Sequence, residues 1–196
     1  MAKKKTKKNT SKQPSAFSLK NWWQSELGSR RPILKFWLGF AGVMALFYVL
    51  TVQPFYFENV QEPVSAFFAS VTSWLLNLFG QQTQASGMNI SAPAFSLSIK
   101  EGCDAIAPVM LVLTGILLFP AAWRQKLKGI AIGMLALFGL NLVRIASLYF
   151  VGIHAPDYFE FMHVEFWQVV FIGLAILYFF YWLHAVTKPA SHAPAS

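Results

Sequence analysis

Apolar residues in this chain come in long runs separated by short polar stretches. Four runs reach the roughly 20 helical residues needed to cross a hydrocarbon core of about 30 Å: residues 33–52, 103–123, 129–150 and 164–184. Between the first two lies a different pattern. Over residues 63–79, Val64, Phe67, Phe68, Val71, Trp74, Leu75 and Leu78 recur at spacings of three and four, the period of a helix. That segment is seventeen residues long and carries Ser65, Ser70, Thr72 and Ser73, which predicts an interfacial helix rather than a spanning one. A fifth span there would invert everything after it. Residues 80–87 read as a loop, and 88–91 and 95–99 as two short strands around Ala92-Pro93, a small β-hairpin. The expected fold is an all-α integral membrane protein: four transmembrane helices, an outer interfacial helix and a β-hairpin. Its expected parts are a basic tail and juxtamembrane segment (1–32), a membrane domain (33–186, with outer segment 53–102) and a short tail (187–196).

Composition supports the membrane class. Of 196 residues, 56% are hydrophobic and 12% charged, against about 25% charged in a typical soluble domain. This excludes disorder for most of the length. The single cysteine excludes a disulfide scaffold.

Charge placement predicts orientation. Ten of the sixteen Lys and Arg residues fall within the first 35 residues, three (Arg124, Lys126, Lys128) between the second and third runs, and one, Lys188, after the fourth. Lys100 is the single basic residue of the other two loops. By the positive-inside rule both termini and the 124–128 loop are expected in the cytoplasm, and residues 53–100 and 152–163 outside. Seven of the eight acids (Glu58, Glu62, Glu101, Asp104, Asp157, Glu160, Glu165) then fall at or near the outer side. The basic N-terminal tail reads as a lipid-attracted cytoplasmic segment rather than a nucleic-acid arm, because a span follows at once. It does not read as a cleavable signal peptide: its basic region is too long, and no A-x-A-type site closes the first run.

Within that frame, the informative residues are polar groups where a membrane protein can least accommodate them. Arg144 lies within the third run, about two helical turns below its outer end. Asn141, Arg144 and Ser147 are spaced by three and form one polar stripe. Cys103 falls at the outer mouth of the second run, after Lys100-Glu101 and before Asp104, which can cap the following helix. His163 falls at the outer mouth of the fourth run, with His154 in the same loop; His184 and His192 are at the inner end and read as incidental. Three runs thus each bring one reactive group to the same outer surface: Cys103, Arg144 and His163. A thiol needs a base to become a thiolate, and histidine is the common one. A tetrahedral oxyanion needs a fixed positive donor, which arginine can supply. No GxSxG, P-loop or HExxH motif competes with this reading.

Glu-Gly-Cys at 101–103 opening a span, Asn-Leu-Val-Arg-Ile at 141–145 late in the next, and Phe-Met-His at 161–163 opening the last resemble the exosortase/archaeosortase family of membrane transpeptidases. The resemblance covers residues 88–183, and the run 141–149 looks most like the exosortase H branch. It implies Cys103 as nucleophile, Arg144 as oxyanion stabiliser or substrate orienter, and His163 as base and acid. Asn141, Glu101 and Asp104 stand as supporting or substrate-binding residues, and no metal or cofactor is expected. The implied partners are exported proteins ending in a short motif, a single span and a basic tail, cut at the outer face of an inner (plasma) membrane, with membrane lipid around the site. Family members often read Cys-Ser-Gly or Cys-Asn-Gly where this chain has Cys103-Asp104-Ala105, so the turn after the sulfur lacks the usual glycine. An extended peptide could add to the edge of the 88–99 hairpin.

Three other readings stay open on residues alone. In a non-enzymatic membrane subunit, Arg144 is structural. A metal or haem site would use His154, His163 and Cys103, without any CxxC or HxxxH spacing. A transporter would need repeats that this chain lacks. Gly129 and Gly133 form G-x-x-x-G on the third run, which predicts close helix packing.

Overall fold

The computed structural model describes residues 19–100 and 102–188, with side chains from residue 31 onward. It divides into two units, residues 1–37 and 38–196. Helix α1 (Leu19–Thr51) begins in the first and ends in the second. It starts well before the expected boundary at residue 33, so part of the juxtamembrane segment is helical, Pro32 included. Of the expected tails at 1–32 and 187–196, residues 1–18 and 189–196, His192 among them, lie outside the described residues, as does Glu101.

Among the described residues three helical stretches are long and apolar enough to cross a membrane: Arg31–Thr51, Trp123–His154 and Phe161–Thr187. The fourth expected span is shorter than its apolar run. Helix α4 (Ile106–Leu118) has 13 residues, about 20 Å at 1.5 Å per residue, against a core of about 30 Å. Two prolines account for its ends. Pro108 sits in the first turn, where a missing N–H costs nothing. Pro120 forces Phe119 into extended backbone (φ −70°, ψ 136°) and stops the helix. Cys103 therefore lies in a turn ahead of α4 rather than in its first turn.

The third run is longer than expected. Helix α5 (Trp123–His154) has 32 residues, about 48 Å of helix. It absorbs the 124–128 loop into its first two turns, and Lys126 Nζ donates to the Leu117 carbonyl at 2.6 Å, across the short 119–122 connection. That places a cation on the carbonyl end of α4, where the helix dipole favours it. The last helix, α6 (Trp167–Thr187), is extended backwards by a π-helical turn, Phe161–Phe166. Gly129 and Gly133 seat α6 on α5: a Cβ at Gly129 would lie 2.2 Å from Trp182 Nε1, and one at Gly133 2.6 Å from Tyr178. Trp182 Nε1 donates to the Gln125 carbonyl at 3.2 Å, and Tyr178 donates to the Gly129 carbonyl.

The segment between α1 and α4 opens with a short helix, α2 (Pro54–Tyr56), and a π turn, Phe57–Gln61, that lead into α3 (Glu62–Leu78). The helix expected at 63–79 is present as α3. Ser65, Phe68, Ala69, Thr72, Ser73 and Leu76 are buried, while Phe67, Trp74 and Leu78 are exposed. The inward face thus combines two large apolar side chains, Phe68 and Leu76, with small and hydroxyl ones that let neighbours approach closely.

After α3 comes a three-stranded antiparallel sheet, β1 (Gln84–Ser86), β2 (Asn89–Ser91) and β3 (Ser96–Ser98), in that order. The expected hairpin is β2–β3. Strand β1 comes from the segment expected to be a loop. Thr83 secures it: its N–H donates to Asn77 Oδ1 at 2.8 Å and its carbonyl accepts from Asn77 Nδ2 at 3.0 Å. Ile90 and Leu97 face each other on the buried side and the flanking serines face out, the period-2 pattern of a half-buried sheet.

The core has two parts. Val109, Val112, Ile116, Leu137, Phe171 and Trp182 join α4, α5 and α6. Phe68, Leu76, Ile90, Leu97, Ile99, Ile145 and Tyr149 join α3, the sheet and the far half of α5, and Cys103 belongs to this second cluster.

Candidate functional site

The turn 100–105 carries the sulfur. The Cys103 N–H donates to the Lys100 carbonyl at 3.0 Å. Gly102 at φ +83° and Ala105 at φ +58° both adopt left-handed backbone. Ala105 occupies the position after Cys-Asp where the resemblance led one to expect glycine, so the glycine-type turn forms without glycine, at a cost of about 1 kcal/mol for the Cβ. Asp104 Oδ1 accepts from the Ile106 N–H at 3.1 Å and caps α4, as expected of it.

Helix α5 holds this turn from below. Asn141, fully buried, donates from Nδ2 to the Cys103 carbonyl at 2.9 Å. Arg144, one turn on, donates from Nη1 to the Gly102 carbonyl at 2.8 Å and from Nη2 to the His163 carbonyl at 3.1 Å. Its guanidinium carbon stands 5.4 Å from the centroid of the Phe171 ring. The charge is thus met by two carbonyl dipoles and an aromatic face, a means of holding a cation in apolar surroundings. Ser147, third on the stripe, donates to the Arg144 carbonyl at 2.7 Å. Buried with no partner among the described residues are Arg144 Nε, Asn141 Oδ1 and Trp167 Nε1.

The π turn Phe161–Phe166 brings in the imidazole. His163 Nδ1 lies 3.4 Å from Cys103 Sγ, and Nε2 lies 3.9 Å away. Phe159 stacks on the ring, centroids 5.8 Å apart and planes 15° apart. The structure therefore brings together Cys103, Asn141, Arg144 and His163 from three separate stretches of chain, with Asp104 beside them. His154 stays outside, stacked on Phe150. Among the described residues no three His, Cys, Asp or Glu side chains gather as a metal site.

Phe159 and Phe171 are the parts that reading the polar residues missed. The signal was present: Phe159, His163, Trp167 and Phe171 repeat at four, one face of a helix.

Burial pushes the Cys103 thiol above its ordinary pKa; the Arg144 guanidinium pulls it back down and the Asp104 carboxylate adds to the rise. The resting thiol is therefore protonated at neutral pH. A neutral thiol at 3.4 Å from an imidazole nitrogen can pass its proton directly to the ring when an electrophile arrives.

The family described as transmembrane exosortase (Exosortase_EpsH) matches residues 29–181 of the chain. No curated protein matches the chain. No solved structure matches it.

Proposed function

Because this chain belongs to the transmembrane exosortase family, a family of multi-pass membrane proteins, we propose that it is a cysteine transpeptidase or protease that cleaves C-terminal sorting signals through a thioacyl intermediate. The observation that carries this reading is the Cys103–His163 contact at 3.4 Å, held by Asn141 and Arg144. In the proposed reaction His163 takes the thiol proton as sulfur attacks the scissile carbonyl. It then returns the proton to the leaving amine as the C–N bond breaks, leaving the acyl group on Cys103. An acceptor amine, hydroxyl or water, deprotonated by His163, attacks the thioester and regenerates the thiol. Arg144 has both terminal nitrogens on backbone carbonyls, so its first duty is to tie the sulfur's turn to the base's turn. Its charge and its Nε–H remain for the oxyanion.

The proposed topology keeps four crossings, with α4 as a short one packed between α5 and α6, both termini cytoplasmic and the Cys103–His163 contact on the outer side of an inner (plasma) membrane. The proposed substrates are exported proteins ending in a motif, a span and a basic tail, which reach the site by lateral diffusion among membrane lipids.

The test is processing in cells that encode the chain. Proteins with such C-termini should accumulate uncut in a Cys103→Ala strain at wild-type levels of the protein. Unchanged processing would remove the enzyme reading and leave a non-enzymatic membrane subunit. Membrane-impermeant thiol reagents should label Cys103 from outside; labelling only from inside would reverse the topology.

A further inference from the structure

Strand β3 ends two residues before the turn that carries Cys103, and it is an edge strand. Its register shows which of its backbone groups are used. Ile99 N–H donates to the Met88 carbonyl and Ala92 N–H to the Phe95 carbonyl, and Ile90 faces Leu97 between them. In an antiparallel ladder bonded and non-bonded pairs alternate, so residues 95, 97 and 99 point their N–H and C=O groups at β2. Ser96 and Ser98 point theirs the other way. Among the described residues no group pairs with those outward N–H and C=O groups. Strand β1, at the other edge, turns only Ala85 outward by the same alternation, since Gln84 and Ser86 face β2.

Both ends of β3 lead to the site. At its start, Phe95 packs on Phe159, the ring that stacks on His163 (centroids 5.7 Å and 5.8 Å apart). At its end, the Lys100 carbonyl accepts from the Cys103 N–H at 3.0 Å. On the buried face Leu97 and Ile99 share one core cluster with Cys103. An exposed edge is otherwise a liability that proteins blunt with proline, charge or a covering element. Here it is left bare over Ser96 and Ser98, five residues and at most about 17 Å of extended chain from the sulfur.

We propose that the outward edge of β3 is the docking strand for the substrate. The extended segment that precedes the substrate's own span pairs with Ser96 and Ser98 as a fourth strand and delivers its scissile carbonyl to Cys103. This rests on the transpeptidase reading and deepens it. Two N–H and two C=O groups, spaced two residues apart, match the ladder of one extended peptide. Main-chain pairing holds the peptide irrespective of sequence. Choice of sequence then falls to alternate side chains, those on the serine face of the sheet and those on the Leu97 face.

Proline at an outward position removes an outward N–H and leaves the β2 ladder intact, which is where sheets tolerate it. In cells that encode the chain, Ser98→Pro and Ser96→Pro should each lower processing of proteins ending in a span and basic tail at least tenfold. Membrane levels and the alkylation rate of Cys103 should stay as in the wild type. Normal processing by both variants, with Cys103→Ala inactive, overturns the docking strand and spares the enzyme reading; normal processing by Cys103→Ala removes the enzyme reading instead. If the proline variants lose their wild-type alkylation rate, a photo-crosslinking residue at Ser98 in the Cys103→Ala chain decides. Adducts to the residues just before a C-terminal span support the proposal. Adducts to a second copy of β3, or none while the same residue at Phe159 captures that peptide, overturn it.

Discussion

Asn141 and Arg144 stand one turn apart on α5 and hold successive carbonyls of one turn, Cys103 by the first and Gly102 by the second. The sulfur's position is thus set from a helix some 40 residues away in sequence. The same guanidinium also holds the His163 carbonyl, so one side chain adjusts both partners of the Sγ–Nδ1 contact.

Arg144→Lys should lose most processing, by about a hundredfold or more, because an ammonium is a point donor and cannot span two carbonyls as a planar fork does. Wild-type processing by this variant would show that charge alone suffices. The measurement is uncut substrate per cell at equal protein level.

Asn141→Ala leaves the buried Cys103 carbonyl without its donor. The expected cost is about 1–3 kcal/mol in thermal unfolding of the detergent-purified protein. Asn141→Asp should do worse than Asn141→Ala, since it sets a buried acceptor against an acceptor. Equal melting of all three proteins would mean the carbonyl finds another donor.

The Cys103 thiol is raised by burial and by Asp104 and lowered by Arg144. Its alkylation rate should be low at neutral pH and rise with pH to a midpoint above the ordinary cysteine value of about 8.5. Removing a group that lowers a pKa raises it, so Arg144→Gln should move the midpoint higher; Asp104→Asn should move it lower. Stopped-flow alkylation across pH reads all three, and a wild-type midpoint below about 7 would show a resting thiolate at neutral pH.

Ala105 is held at φ +58° while almost fully buried. Ala105→Gly removes the left-handed penalty but adds unfolded-state freedom. With a penalty of about 1 kcal/mol removed and roughly 0.4–1 kcal/mol of unfolded-state entropy added, the net expectation is a gain of at most about 0.5 kcal/mol with processing unchanged. A loss of stability would mean that the packing of the Ala105 methyl outweighs the backbone strain.

Gly129→Ala places a methyl where Trp182 Nε1 would be 2.2 Å away. The Trp182 ring must leave its place, and with it the bond to the Gln125 carbonyl, or α6 must shift, at about 1–3 kcal/mol either way. Gly139→Ala, where nothing lies within 4 Å of the added methyl, is the matched control and should melt above the wild type by the roughly 0.5–1 kcal/mol by which a helix interior favours Ala over Gly.

Apolar runs made the long helices legible, because a span announces itself by length and composition alone. The length of α4 was not legible in hydropathy: the run 105–123 stays apolar past both helix ends, which come from Pro108, Pro120 and the two left-handed residues of the turn. Strand β1 was hidden because a polar segment shows no period; the Asn77–Thr83 bonds that hold it join residues six apart across a loop. Helical period marked α3 but not which of its aromatics turn inward: Phe68 is buried while Phe67 and Trp74 are exposed.

For the site, the chain by itself decided which groups are chemically out of place: a charge within a span, a lone thiol at its mouth, an imidazole opening the last helix. Three short segments, 101–103, 141–145 and 161–163, were enough to suggest the family. Tertiary structure alone decided that Nδ1 reaches the sulfur at 3.4 Å, that Arg144 clasps two carbonyls, and that His154 stays away. The reason is physical. Misplaced polarity is a local property, readable residue by residue. Distances between groups 20 to 60 residues apart depend on how α5 and α6 pack through Gly129 and Gly133, and on a π turn that no local pattern encodes.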